Sequence, residues 1–121
     1  MKILLVDDDT FLRDMYATKF RESGHFVDGA RDGSEALRMV EAGSYDLLIT
    51  DMVMPGMTGS ELIGKVRKVK EGENLRCIVL SNQGEETDIT EATRQGASGY
   101  IIKAELVPSE VVARVHQLTA S

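Results

Sequence analysis

The sequence predicts an α/β domain, a doubly wound sheet of five parallel strands with five helices on its two faces. Three observations predict it. Five short apolar runs recur along the chain. Longer amphipathic stretches alternate with them, the pattern of a parallel sheet with crossover helices. Polar residues able to do chemistry stand directly after several of the runs, where open sheets of this kind collect their ligand groups.

The first run is Ile3-Leu4-Leu5-Val6, and Asp7-Asp8-Asp9 follows at once. The others are Phe26–Ala30, Leu47–Thr50, Cys77–Leu80 and Gly99–Ile102. Most are rich in Val, Ile and Leu without polar alternation, as strands covered on both faces are. Thr10 is expected to cap the first helix, with Leu12, Met15, Tyr16 and Phe20 at three-to-four spacing and Gly24 as its stop. Asp9 is the alternative start of that helix, where an acidic residue suits the helix dipole. A second helix runs through Ser34–Val40, before Gly43. A third is expected from Gly59 to Lys70, with Leu62, Ile63 and Val66 on one side, ending before Gly72. A fourth spans Glu86 to Gln95 and ends at Gly96. Pro108 opens the fifth, whose apolar face is Val111, Val112, Val115 and Leu118. Four helices thus end near a glycine, each expected to supply a left-handed C-cap.

The length, 121 residues, fits one domain over 1–121. With 20 acidic and 14 basic residues the net charge is -6, which argues against direct binding of nucleic acid or an anionic membrane. The lone Cys77 can form neither an internal disulfide nor a cysteine zinc site, which fits a reducing, cytoplasmic setting. No stretch approaches a membrane span or a signal peptide.

The strand ends carry the chemistry. Asp7 and Asp8 follow the first strand, Asp51 the third, Ser81 the fourth and Lys103 the fifth. Converging carboxylates repel and raise one another's pKa. A hard cation relieves the repulsion, and oxygen ligands without His or Cys favour Mg²⁺ or Mn²⁺. Lys103 can neutralise phosphate oxygens and Ser81 can donate a hydrogen bond to one. An aspartate can itself be the nucleophile, giving an acyl phosphate.

These segments, together with Asp46–Gly59 and Gly96–Lys103, resemble the receiver domain of two-component response regulators over essentially the whole chain. The resemblance implies a flavodoxin-like strand order, 2-1-3-4-5. It implies that Asp51 accepts a phosphoryl group from a sensor histidine kinase or a phosphotransfer protein. Asp8 and Asp51 would hold Mg²⁺ directly, Asp7 mainly through water, and the Val53 carbonyl would be a further ligand. Ser81 and Lys103 would hold the phosphoryl oxygens, and Tyr100 would be the switch aromatic. The readout face would be the fourth helix, fifth strand and fifth helix, acting on a protein partner or a fused output domain, with phosphorylation-dependent dimerisation open. No turnover is implied beyond Mg²⁺-dependent self-phosphorylation and autodephosphorylation at Asp51. No output domain follows Ser121, so a stand-alone receiver and a part of a longer regulator both remain open.

Three positions depart from the family pattern. Asn82 follows Ser81 where a small residue is usual. Ala104 follows Lys103 where a cis proline is usual, so the turn is either trans or a non-proline cis bond costing about 2.5–4 kcal/mol. Val53 stands two residues after Asp51, often a polar position, so its side chain would not position an attacking water. A long-lived acyl phosphate is expected. Val53 also argues against an aspartate-nucleophile phosphatase, which usually carries a second aspartate there. Three aspartates after the first strand argue against a flavin phosphate loop. The intact site argues against a pure docking module.

Other residues read more plainly. Met52, Met54 and Met57 are either a soft surface patch or, more simply, packing. Cys77 reads as a small buried hydrophobe. His25 and His116 have no partners at ligand or triad spacing and receive no chemistry.

Overall fold

A computed structural model describes residues 1–120. The strands are β1 (Lys2–Val6), β2 (Phe26–Ala30), β3 (Leu47–Thr50), β4 (Arg76–Ser81) and β5 (Gly99–Ile102). The helices are α1 (Thr10–Glu22), α2 (Gly33–Ala42), α3 (Gly59–Val66), α4 (Glu86–Arg94) and α5 (Pro108–Thr119). All strands are parallel, in the order β2-β1-β3-β4-β5. The fold class and strand order are those expected.

Successive strand residues alternate between two cores, because side chains along a strand point to opposite faces. Leu4, Val6, Leu48, Cys77 and Val79 pack under α2, α3 and α4, against Ala36, Val40, Leu62, Ile63 and Ala92. Ile3, Leu5, Ile49, Ile78, Leu80 and Ile101 pack under α1 and α5, against Tyr16, Phe20, Val111 and Val115. The edge strand β2 differs. Phe26 is 78% exposed, and only Val27 and Ala30 of that strand are buried.

Several helix ends depart from expectation. Asp9, not Thr10, caps α1, its carboxylate accepting from the Leu12 N–H at 3.0 Å. The third helix stops at Val66 rather than Lys70. Val69 is extended and packs against the core, and a 3₁₀ turn follows at Lys70–Gly72. Only Gly24 and Gly96 of the four helix-end glycines take the left-handed conformation; Gly43 is extended, and the third left-handed glycine is Gly56, in the turn after Asp51. Met52 and Met54 are buried, so the methionines are packing and not a surface patch. Cys77 is fully buried, and burial pushes its thiol up to about 11, which makes it inert at neutral pH. Among the described residues every peptide bond is trans, including Lys103–Ala104, which opens a 3₁₀ turn. No helix among them is long and apolar enough to cross a membrane.

Candidate functional site

The register of the central strands carries three carboxylates to one edge. Val6 pairs with Thr50 across β1 and β3, so Asp7 and Asp51 leave the sheet side by side. The Asp51 N–H donates to the Val6 carbonyl at 3.0 Å, and the Asp7 N–H to the Ala30 carbonyl at 3.1 Å. One carboxylate oxygen from each of Asp7, Asp8 and Asp51 lies within 4.8 Å of the others. Asp7 is buried, Asp51 half-buried and Asp8 exposed. They line a cleft of about 360 Å³ together with Val53, Ser81 and Asn82.

Lys103 enters from the end of β5 and is 6% exposed. Its Nζ donates to Asp7 Oδ2 at 2.9 Å and stands 3.7 Å from Asp51 Oδ2. A buried ammonium needs this pairing, since an unpaired buried charge is very costly. Asp7 is held on all sides. Its Oδ1 accepts from the Asp9 N–H at 2.9 Å, and its backbone carbonyl accepts from Arg13 Nη1 at 2.7 Å. Asp51 is less constrained: its Oδ1 accepts from the Met52 N–H at 2.7 Å. Burial pushes the Asp51 carboxyl above its ordinary pKa; the Lys103 ammonium opposes the rise and the Asp7 carboxylate adds to it.

Ser81 ends β4 and is 1% exposed. Its hydroxyl lies beside Asp51 and Tyr100 and favours the charged form of each, against the raising effect of burial. Tyr100 is half-buried, and its hydroxyl donates to the Gln83 carbonyl at 2.7 Å. The Val53 side chain is 59% exposed at the mouth of the cleft. All seven residues singled out from the sequence therefore lie in or beside one cleft.

Sequence reading missed three contributors. Arg13 clamps the Asp7 carbonyl, six residues away with no motif to announce it. Gln83 holds Tyr100 through a backbone atom, which side-chain identity cannot reveal. Gly59 lets α3 approach the site: a Cβ there would stand 2.3 Å from the Asp51 carbonyl oxygen. The glycine before a Ser-Glu pair at a helix start was the available signal.

The family model described as the response regulator receiver domain matches residues 3–116. The chain belongs to that family. Chemotaxis protein CheY of Pseudomonas aeruginosa is 37% identical over 85% of this chain and 84% of that protein. The two-component response regulator PhoP of the same organism is 36% identical over 85% of this chain, but only 45% of PhoP is covered. Among solved structures, chemotaxis protein CheY4 of Vibrio cholerae superposes with a TM-score of 0.90 at 28% identity, covering 97% of each chain. TrrA of Thermotoga maritima, solved in complex with Mg²⁺-BeF, superposes with a TM-score of 0.84 at 32% identity, again over 97% of each. Receiver domains are signalling proteins of two-component systems, and aspartate phosphorylation and Mg²⁺ binding are general to the family. The donor set of this receiver fits that ion: hard carboxylate oxygens, with no histidine or thiolate among them.

Proposed function

We propose that this receiver is a phosphorylatable switch whose acceptor is Asp51. The observation that carries the reading is the cluster itself, three carboxylates within 4.8 Å with a buried lysine 2.9 Å from one and 3.7 Å from another. Asp8 and Asp51 would hold Mg²⁺, with the Val53 carbonyl and, through water, Asp7. The ion supplies positive charge to the phosphoryl oxygens when bound.

An Asp51 carboxylate oxygen attacks the phosphorus of a phosphohistidine on a sensor kinase or phosphotransfer protein. The O–P bond forms as the N–P bond breaks, and the imidazole leaves. The Met52 N–H fixes the plane of the Asp51 carboxylate for this attack. Lys103 then turns from Asp7 to a phosphoryl oxygen, and Ser81 donates to another. Catalysis is mostly positioning and charge neutralisation. As Ser81 moves, Tyr100 gives up the Gln83 carbonyl and turns inward, changing the surface formed by α4, β5 and α5. That surface would act on a protein partner, on a fused output domain, or on a second phosphorylated copy. The roles assigned to kinase and output agree with those of CheY- and PhoP-type relatives.

The test is incubation with Mg²⁺ and acetyl phosphate, followed by intact mass measurement. One added phosphoryl group is expected, absent from Asp51→Asn and abolished by chelation of the metal. An unmodified wild type, or an Asp51→Asn variant that is still modified, overturns the assignment.

A further inference from the structure

Arg13 is a cation whose place neither its helix nor a carboxylate explains. It is the fourth residue of α1, near the positive end of the helix dipole, where a cation is unfavourable. Asp7, Asp8 and Asp9 directly precede the helix. Yet among the described residues the Arg13 guanidinium joins no ion pair. Its Nη1 donates instead to the Asp7 backbone carbonyl at 2.7 Å. Gly29, on the edge strand β2, faces the same side chain. Its backbone is not left-handed, so its φ does not call for glycine, and a glycine weakens a strand. A Cβ on Gly29 would stand 3.1 Å from both Cδ and Nε of Arg13 and 3.6 Å from its Cγ, with no other group nearer. The missing side chain is the seat of the Arg13 stem.

The Asp7 carbonyl lies in the planar peptide that joins Asp7 to Asp8. A charge-assisted bond to that oxygen fixes the plane, and with it the direction in which Asp8 leaves the backbone. The Asp7 carboxylate has anchors of its own, Lys103 Nζ and the Asp9 N–H, each at 2.9 Å. Among the described residues the exposed Asp8 carboxylate has no such anchor, so its backbone alone aims it.

We propose that Arg13, seated against Gly29, is a positioning residue for the cation site, fixing the Asp7–Asp8 peptide so that the Asp8 carboxylate is aimed at Mg²⁺. The inference rests on the reading of the cleft as a Mg²⁺-dependent acceptor site. Arg13 acts through the backbone rather than on the ion. A bystander cation would have the opposite effect. Positive charge near the carboxylates repels Mg²⁺, so its removal alone tightens binding. Loss of a positioning bond loosens binding, since partners that orient metal ligands are worth about 10–100-fold in affinity.

The test is Mg²⁺ binding measured by calorimetry, without a phosphodonor. Arg13→Met keeps an unbranched stem and removes the donor, and it should weaken binding roughly tenfold. Gly29→Val keeps the charge and suits a strand, and it should weaken binding by a smaller factor because it unseats the stem. In the Arg13→Met background Gly29→Val should add nothing, since both changes act through one contact. With acetyl phosphate, the Mg²⁺ concentration for half-maximal phosphorylation should rise in step, and excess Mg²⁺ should recover most of the lost rate. Circular dichroism checks that the variants fold, and Gly29→Val tests the same contact with the arginine in place. Binding that is unchanged or tighter in Arg13→Met, or losses that add in the double variant, overturns this proposal and leaves the reading of the cleft standing. A wild type that binds no Mg²⁺ overturns both.

Discussion

At the amino ends of the strands, polar groups are hydrogen-bonded to neighbouring elements. The Lys2 N–H donates to Asp46 at 2.8 Å, Arg76 donates to the Thr119 carbonyl at 2.8 Å, and His25 pairs with His116. At the carboxyl ends, three carboxylates cluster about one lysine that pairs with two of them. The first arrangement closes the fold and is complete as it stands. The second is unbalanced, and its imbalance is what gives a cation and then a phosphoryl group something to bind. A folded protein tolerates such a cluster because the two cores supply the stability that the cluster subtracts.

The sharpest way to break this contrast is Lys103→Met. It leaves the buried Asp7 without its cation, and a loss of about 3–5 kcal/mol in urea unfolding is expected. Saturating Mg²⁺ should restore part of that loss. A cost below about 1 kcal/mol would mean that the pair behaves like a solvated surface bridge.

Gly59→Ala tests the backbone side of the same cleft. The new Cβ would collide with the Asp51 carbonyl, so α3 and the acceptor cannot both keep their places. Overpacking of this kind costs about 1–3 kcal/mol. Here it should also slow phosphorylation by acetyl phosphate, measured by intact mass against time. Unchanged phosphorylation at reduced stability would separate the helix contact from the chemistry.

Val53→Asn acts at the rim. A polar side chain there could orient water toward the acyl phosphate. Loss of the phosphoryl group should accelerate by roughly tenfold, about 1.4 kcal/mol of barrier. A rate that hardly changes would remove Val53 as the reason for a long-lived phosphoryl state.

The smallest effect concerns stability against pH. The folded state raises the Asp51 pKa, so folding opposes ionisation of this group. Below its unfolded pKa the carboxyl is neutral in both states and costs nothing. As pH rises through the window from the unfolded to the folded pKa, stability falls. Asp51→Asn should therefore raise the melting temperature at neutral pH without divalent ions, and the gain should disappear in acid. A gain that persists below the ordinary carboxylate range would point to packing rather than charge.

Much of this could be read from residues alone. Strands β1 and β3 are unbroken apolar runs, and the topology of a parallel sheet then places Asp7, Asp51, Ser81 and Lys103 at one edge. The end of α3 was not legible, because Val69 gains more by packing on the core as extended chain than by continuing the helix. Which carboxylate holds Lys103 was hidden as well, since distances of 2.9 and 3.7 Å are set by tertiary packing. The His25–His116 pair carries no local spacing at all and appears only when α5 folds back beside the β2 entry.

The Lys103–Asp7 pair also sets an order of events at the ribosome. The two partners lie 96 residues apart, and the lysine is made last. A growing chain presents Asp7 and Asp51 well before Lys103 is available to them, because synthesis runs from the amino terminus. The nascent protein therefore carries its acidic edge exposed to solvent and metal ions until the fifth strand docks. The docking of the last strand of this sheet converts an open acidic surface into a closed receiving site.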